Sequence, residues 1–213
     1  MTYAVKEVFH TLQGEGANAG RAAVFLRFTG CNLWTGRAED RAKGPGGCSR
    51  WCDTDFVGTN GAGGGRFASA GDLARHVATT WRGGQEQRLV VCTGGEPLLQ
   101  LDEPLISALH DERFKVAVET NGTQPAPRGL DWICVSPKRG GELILRAGHE
   151  LKLVVPQDGF EPREFESLDF KHFLLQPMDG PDRERHTQFA VEYCMANPRW
   201  RLSLQTHKLL GIP

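Results

Sequence analysis

Cys31, Cys48 and Cys52 fall together in one Gly-, Pro- and charge-rich stretch of the chain, apart from the other three of its six cysteines. The thiolate is a strong metal ligand, and three thiols on one loop can converge on a single metal centre. Three is one ligand short of the closed sites. Structural zinc takes four ligands, and no His lies near this loop to complete a set. Electron-transfer iron–sulfur clusters usually take four cysteines. A [4Fe–4S] cluster on three thiolates would leave one iron open to a substrate or cofactor. The spacing by itself equally admits a zinc site completed from elsewhere in the chain, or incidental loop thiols. Cys92, Cys134 and Cys194 each sit in an apolar run and read as small buried core residues.

The elements that position this loop are legible as short apolar runs: Ala22–Phe28, Arg88–Thr93, Lys115–Glu119, Trp132–Ser136, Glu150–Val155, His172–Gln176 and Arg201–Gln205. Their continuous apolar character fits parallel strands covered on both faces. Helical patterns lie between some of them. Ser69 caps one that runs through Leu73, His76, Val77 and Trp81, with Asp72 in its first turn. Others span Glu103–Arg113 and Asp182–Ala196, the last stopped by Asn197-Pro198. Strand, helix and strand in succession make the class α/β. The stretches between Glu119 and Trp132, Pro137–His149 and Pro156–Lys171 are poor in helical signal. A complete eightfold barrel needs about 250 residues, so 213 residues predict a partial, open (β/α) barrel with shortened or missing crossover helices. One domain over residues 1–213 is expected, with the cysteine loop inserted at about 31–66. The run "GTNGAGGGR" within it reads as a mobile surface loop. The cysteine loop directly follows the strand Ala22–Phe28, at the end where such sheets bind ligands.

Composition narrows the classes further. A formal net charge of −1 with scattered charges gives no basic footprint for nucleic acid. No run approaches the ~18 apolar residues of a membrane span, and "MTYAVKEVFH" is no signal peptide. A cytoplasmic protein is expected, where cysteines serve as ligands or catalysts more often than as disulfides. His10, His186 and His207 lack metal-ligand spacing and read as surface or supporting residues. Trp34 and Trp51 flank the cysteine loop, as a shield against water or as ordinary packing.

Further motifs decide between the readings. "CTGGEP" (Cys92–Pro97) ends the second core strand, and its glycines let backbone approach a ligand while Glu96 shapes the turn. Together with the three-cysteine loop it resembles the radical S-adenosylmethionine superfamily. "HTLQGEG" (His10–Gly16), "RFTGCNLW" (Arg27–Trp34), "WCDTDF" (Trp51–Phe56), "ETNGT" (Glu119–Thr123), "SPK" (Ser136–Lys138), "QPMD" (Gln176–Asp179) and the ending "QTHKLLGIP" extend the likeness over nearly the whole chain. They resemble the 7-carboxy-7-deazaguanine synthase family of the queuosine pathway.

That resemblance implies a lyase that uses the cluster on Cys31, Cys48 and Cys52 to cleave S-adenosylmethionine to a 5′-deoxyadenosyl radical. The radical would convert 6-carboxy-5,6,7,8-tetrahydropterin to 7-carboxy-7-deazaguanine with loss of ammonia. By the same resemblance Trp51, Asp53, Gly95, Ser136, Pro137, Lys138, Gln176, Pro177, Met178 and Asp179 line the cofactor site. Leu12, Gln13, Gly14, Arg27, Thr93 and the carboxylate of Pro213 hold the substrate, and Thr54 ligates Mg²⁺ beside it. A homodimer and an electron donor, flavodoxin-like or other, are implied as partners. Another small radical enzyme, such as a glycyl-radical activase, is the alternative. The residue types suit these roles: Arg27 offers a bidentate fork for a carboxylate, Gln13 and Thr93 can hydrogen-bond a flat heterocycle, and the Thr54 hydroxyl is a hard ligand. Each has a plainer use, Arg27 in a structural ion pair and Thr54 in a turn. The spacing departs from the family pattern: sixteen residues separate Cys31 from Cys48, and three separate Cys48 from Cys52. A long first gap costs little in a loop. The extra residue in the second predicts a bulge, accommodated at Gly46-Gly47.

Overall fold

All the apolar runs read as strands pair into one sheet. The computed structural model describes residues 2–43 and 47–213. Strands β1 (Tyr3–Leu12), β2 (Ala22–Phe28), β3 (Gly65–Phe67), β4 (Leu89–Gly94), β5 (Lys115–Thr120), β6 (Trp132–Val135), β7 (Ala147–Val155), β8 (Asp169–Pro177) and β9 (Trp200–Leu202) lie in the order β3-β1-β2-β4-β5-β6-β7-β8-β9. From β2 to β9 every pairing is parallel, while β1 runs antiparallel to both its neighbours. The sheet is open, since β3 and β9 are its edges.

Helices α1 (Ala70–Thr80), α2 (Glu103–Asp111) and α3 (Arg183–Ala196) cover one face, and a short α4 (Thr206–Leu210) follows β9. Ser69 accepts from the Asp72 amide at the head of α1, and Asp102 does the same for Leu105 at α2, each satisfying an otherwise orphaned donor. Val24, Leu26 and Phe28 of β2 pack against Leu73, Val77, Leu105 and Leu109. Their alternates Ala23 and Phe25 join Leu89, Val91, Ala117 and Trp132 on the other face, as the two-residue strand period requires. A further core of Leu151, Leu153, Phe173, Leu175 and Trp200 packs against α3. Where crossover helices are missing, Leu143, Leu145 and Phe160 from loops cover the sheet instead.

One expectation is corrected. Residues 58–66 are not a free loop: the Gly61 amide donates to the Lys6 carbonyl and the Val8 amide to Ala62, and the run ends in β3. Its glycines permit that approach, because a Cβ on Gly64 would sit 2.2 Å from the Lys6 oxygen. Strand β1 is one that the apolar pattern does not reveal. Its two faces differ, with Tyr3, Val5 and Val8 in the core and charged residues between. A register shift between Val5 and Glu7 accompanies a buried Lys6, whose ammonium lies 2.8 Å from Asp55 and 3.0 Å from the Val57 carbonyl. No helix among the described residues is long and apolar enough to cross a membrane.

Candidate active site

The loops leaving the carboxyl ends of the parallel strands enclose a cleft. Cys31, Cys48 and Cys52 all line a cavity of about 180 Å³. The Cys48–Cys52 spacing is met by a helical turn and not by a bulge. Gly47–Arg50 form a 3-10 turn, and the Cys52 amide donates to the Cys48 carbonyl at 2.7 Å. That i→i+4 bond closes one turn of chain between the two cysteines, and both line the same cavity. Of the Gly46-Gly47 pair, Gly46 lies outside the described residues, and the Gly47 amide is pinned to the Arg139 carbonyl. Arg41 braces the turn from outside, donating to the Ser49 and Cys52 carbonyls and covering the buried Trp34 ring. Trp34 in turn meets Phe56 edge-on.

Burial pushes the Cys31 thiol up and Cys48 up to about 11, so metal binding here must release protons. The three sulfurs do not all lie within 4.8 Å of one another; among the described residues only Glu119, Cys134 and Glu150 make such a triple.

The Gly-Gly-Glu-Pro turn after β4 locks this loop to its neighbours. A Cβ on Gly95 would lie 2.4 Å from the Gly30 oxygen and 2.6 Å from Cys31 Cβ. Glu96 is fully buried and accepts from Thr120 Oγ1, the Asn121 amide and the Leu98 amide. Burial pushes its pKa up, against the pull of those donors. Asn32 and Asn121, to which the sequence reading gave no role, bridge the cysteine loop to the loop after β5. Trp51, Asp53, Gly95, Ser136, Lys138, Gln176, Pro177 and Asp179 all line the cavity. Pro137 and Met178 do not; the Met178 backbone instead binds Val155 and His186.

A second cavity of about 390 Å³ shares lining residues with the first. Leu12, Gln13, Gly14, Arg27, Thr93 and Pro213 all line it, and Glu15, Asp53, Thr54, Thr93, Glu119 and Gln205 border both. Arg27 Nε donates to Glu7 at 2.7 Å, so the structural pairing exists beside the cavity-facing role. The chain end forms one wall. The Thr206 amide and hydroxyl donate to the Gly14 carbonyl, and Thr11 Oγ1 donates to the Pro213 carbonyl at 2.8 Å. His207, read from sequence as peripheral, lines this cavity and packs on Gly14, where a Cβ would collide with its ring. Lys208 bridges Asp53 of the cysteine loop and Asp179 after β8.

Between the cavities lies a group the sequence reading assigned no role. Lys152 Nζ sits 2.6 Å from Glu15 and 2.7 Å from Glu119, all three largely buried. Burial alone would lower the lysine pKa, but the two carboxylates hold it well above its ordinary value. A lone lysine in the apolar run Glu150–Val155 was the available signal.

No family model matches the chain. Proteins named 7-carboxy-7-deazaguanine synthase are 62% identical to it in Caulobacter vibrioides and in Bordetella pertussis, over the whole of both chains in each case. One from Bacteroides thetaiotaomicron is 38% identical over 98% of this chain and 97% of its own. The fold is similar to the crystal structure of QueE from Escherichia coli, with a TM-score of 0.66 and 28% identity over 96% of this chain and 94% of that one.

Proposed function

The chain belongs to the 7-carboxy-7-deazaguanine synthase family, and from that premise we propose how its own residues divide the work. It is an enzyme that converts 6-carboxy-5,6,7,8-tetrahydropterin into 7-carboxy-7-deazaguanine with loss of ammonia. The carrying observation is one cleft with three thiols on one side and the six pterin-facing residues on the other.

Cys31, Cys48 and Cys52 hold a [4Fe–4S] cluster, a reading supported by all three lining the same cleft. When bound, the cluster supplies the one-electron reduction that splits a carbon–sulfur bond of S-adenosylmethionine and starts the reaction. Trp51, Asp53, Gly95, Ser136, Lys138, Gln176, Pro177 and Asp179 shape the pocket for that cofactor. Arg27 orients the substrate carboxylate, with Glu7 fixing its guanidinium. Gln13 and Thr93 hold the flat ring, and Pro213 closes the same cavity. Thr54, on the border of both cavities, offers its hydroxyl to Mg²⁺ alongside the substrate carboxylate. The protein positions the reacting carbon beside the radical source and excludes water. The open sheet is read as the partial barrel of radical S-adenosylmethionine enzymes, in a cytoplasmic homodimer served by a flavodoxin-like or other donor. Exposed Phe189, Met195 and Leu202 offer apolar surface for pairing two copies.

The test is anaerobic reconstitution, iron and sulfide analysis, and incubation with the carboxypterin and S-adenosylmethionine. A brown protein that yields the deazapurine and ammonia is expected. A protein that forms the cluster yet makes no deazapurine overturns the reading.

A further inference from the structure

We propose that Glu119 and Lys152 are the proton-transfer pair for ammonia loss, with Glu15 holding the lysine in place. The inference rests on the reaction assigned above and deepens it. A structural ion pair balances its charge, but here one buried ammonium serves two carboxylates, Glu15 at 2.6 Å and Glu119 at 2.7 Å. Lys152 is 3% exposed, and Glu150 adds a further buried acid. Such an excess of negative charge suits a site that must take up a proton. The location agrees, since Glu15 and Glu119 both border the two cavities where the reacting carbon must lie.

The carboxylates are not equivalent. Glu15 is held low by Lys152 against the effect of burial, with Gln205 donating to its other oxygen at 2.9 Å. Glu119 is pushed up by burial and by Glu150 and Glu15, and accepts from Gln13 at 3.1 Å. Cys134 on β6, Glu150 on β7, Lys138 after β6 and His207 on α4 are the other titratable groups around the pair. Glu119 is therefore the member that takes the proton.

Substrate and product differ by one ammonia, with no net oxidation. The Glu119 carboxylate removes a proton from ring carbon, and that C–H electron pair becomes the new ring double bond. The C–N bond breaks with its pair on nitrogen, which takes a proton from the Lys152 ammonium and leaves as ammonia. The Glu119 acid then returns its proton to the lysine amine across their hydrogen bond, restoring both groups.

Glu119→Gln tests this directly. It removes the surplus charge while keeping the shape, so the fold is expected to hold and its thermal midpoint to stay or rise. General acid–base catalysis predicts a fall in kcat of about 100-fold or more, with KM within about threefold of the parent. The parent's kcat should fall on the acid side as Glu119 protonates, and the variant should lose that limb. Lys152→Ala, supplied with a small alkylamine, should regain turnover. Unchanged kcat in Glu119→Gln, or a loss carried wholly by KM, overturns the pair. A parent that makes no deazapurine instead sinks the assigned function, and this inference with it.

Discussion

Arg27 shows how one residue serves structure and chemistry together. Its strand position on β2 sets the side chain beside Glu7, which takes Nε and leaves the rest of the fork to the cavity. A hydrogen bond to a charged group contributes roughly 1.5–3 kcal/mol. Arg27→Met should therefore raise KM for the carboxypterin about 10- to 100-fold while iron content stays at the parent level. Steady-state kinetics beside metal analysis would check it, and an unchanged KM would remove Arg27 from the substrate site. Glu96 works the other way. It lies fully buried, and by accepting three hydrogen bonds it fixes the turn that the cysteine loop leans on.

At the scale of elements, the site depends on close backbone contacts between loops that are distant in sequence. Gly95 approaches Gly30 and Cys31 where no side chain fits. Gly95→Ala should push the cysteine loop away from the β4 turn, and cluster incorporation should drop while the sheet stays folded. The comparison is iron per chain against far-ultraviolet circular dichroism; full iron loading would show that the contact is dispensable. The Cys48–Cys52 turn follows the same logic. The three-residue gap looks awkward along the sequence, but a helical hydrogen bond makes it a natural spacing.

For the molecule as a whole, the open sheet needs a closing piece on the cleft side, and the chain end provides it. Residues 206–213 run back to Gly14 and Thr11, and Lys208 ties the cysteine loop to the β8 loop. Removing residues 206–213 should raise the carboxypterin KM by about tenfold or more, since small misplacements cost that much, with cluster assembly largely intact. Equal KM values for the full and shortened chains would deny the segment that role.

The periodicity of the sequence by itself determined β2, the buried strands and α1 to α3, because burial on both faces leaves continuous apolar runs and caps mark helix ends. Motifs singled out the cysteines, the Gly-Gly-Glu-Pro turn and the six residues that line the second cavity. Other features were decided only by tertiary structure. β1 is half polar because one face meets the core and the other the cleft, so its pattern is ambiguous along the chain. The glycine run at 58–66 looks loose until Lys6 and Val8 are laid against it. Glu15, Glu119 and Lys152 stand far apart in sequence and become one group because Glu119 on β5 and Lys152 on β7 meet across β6 while Glu15 reaches them from the loop after β1.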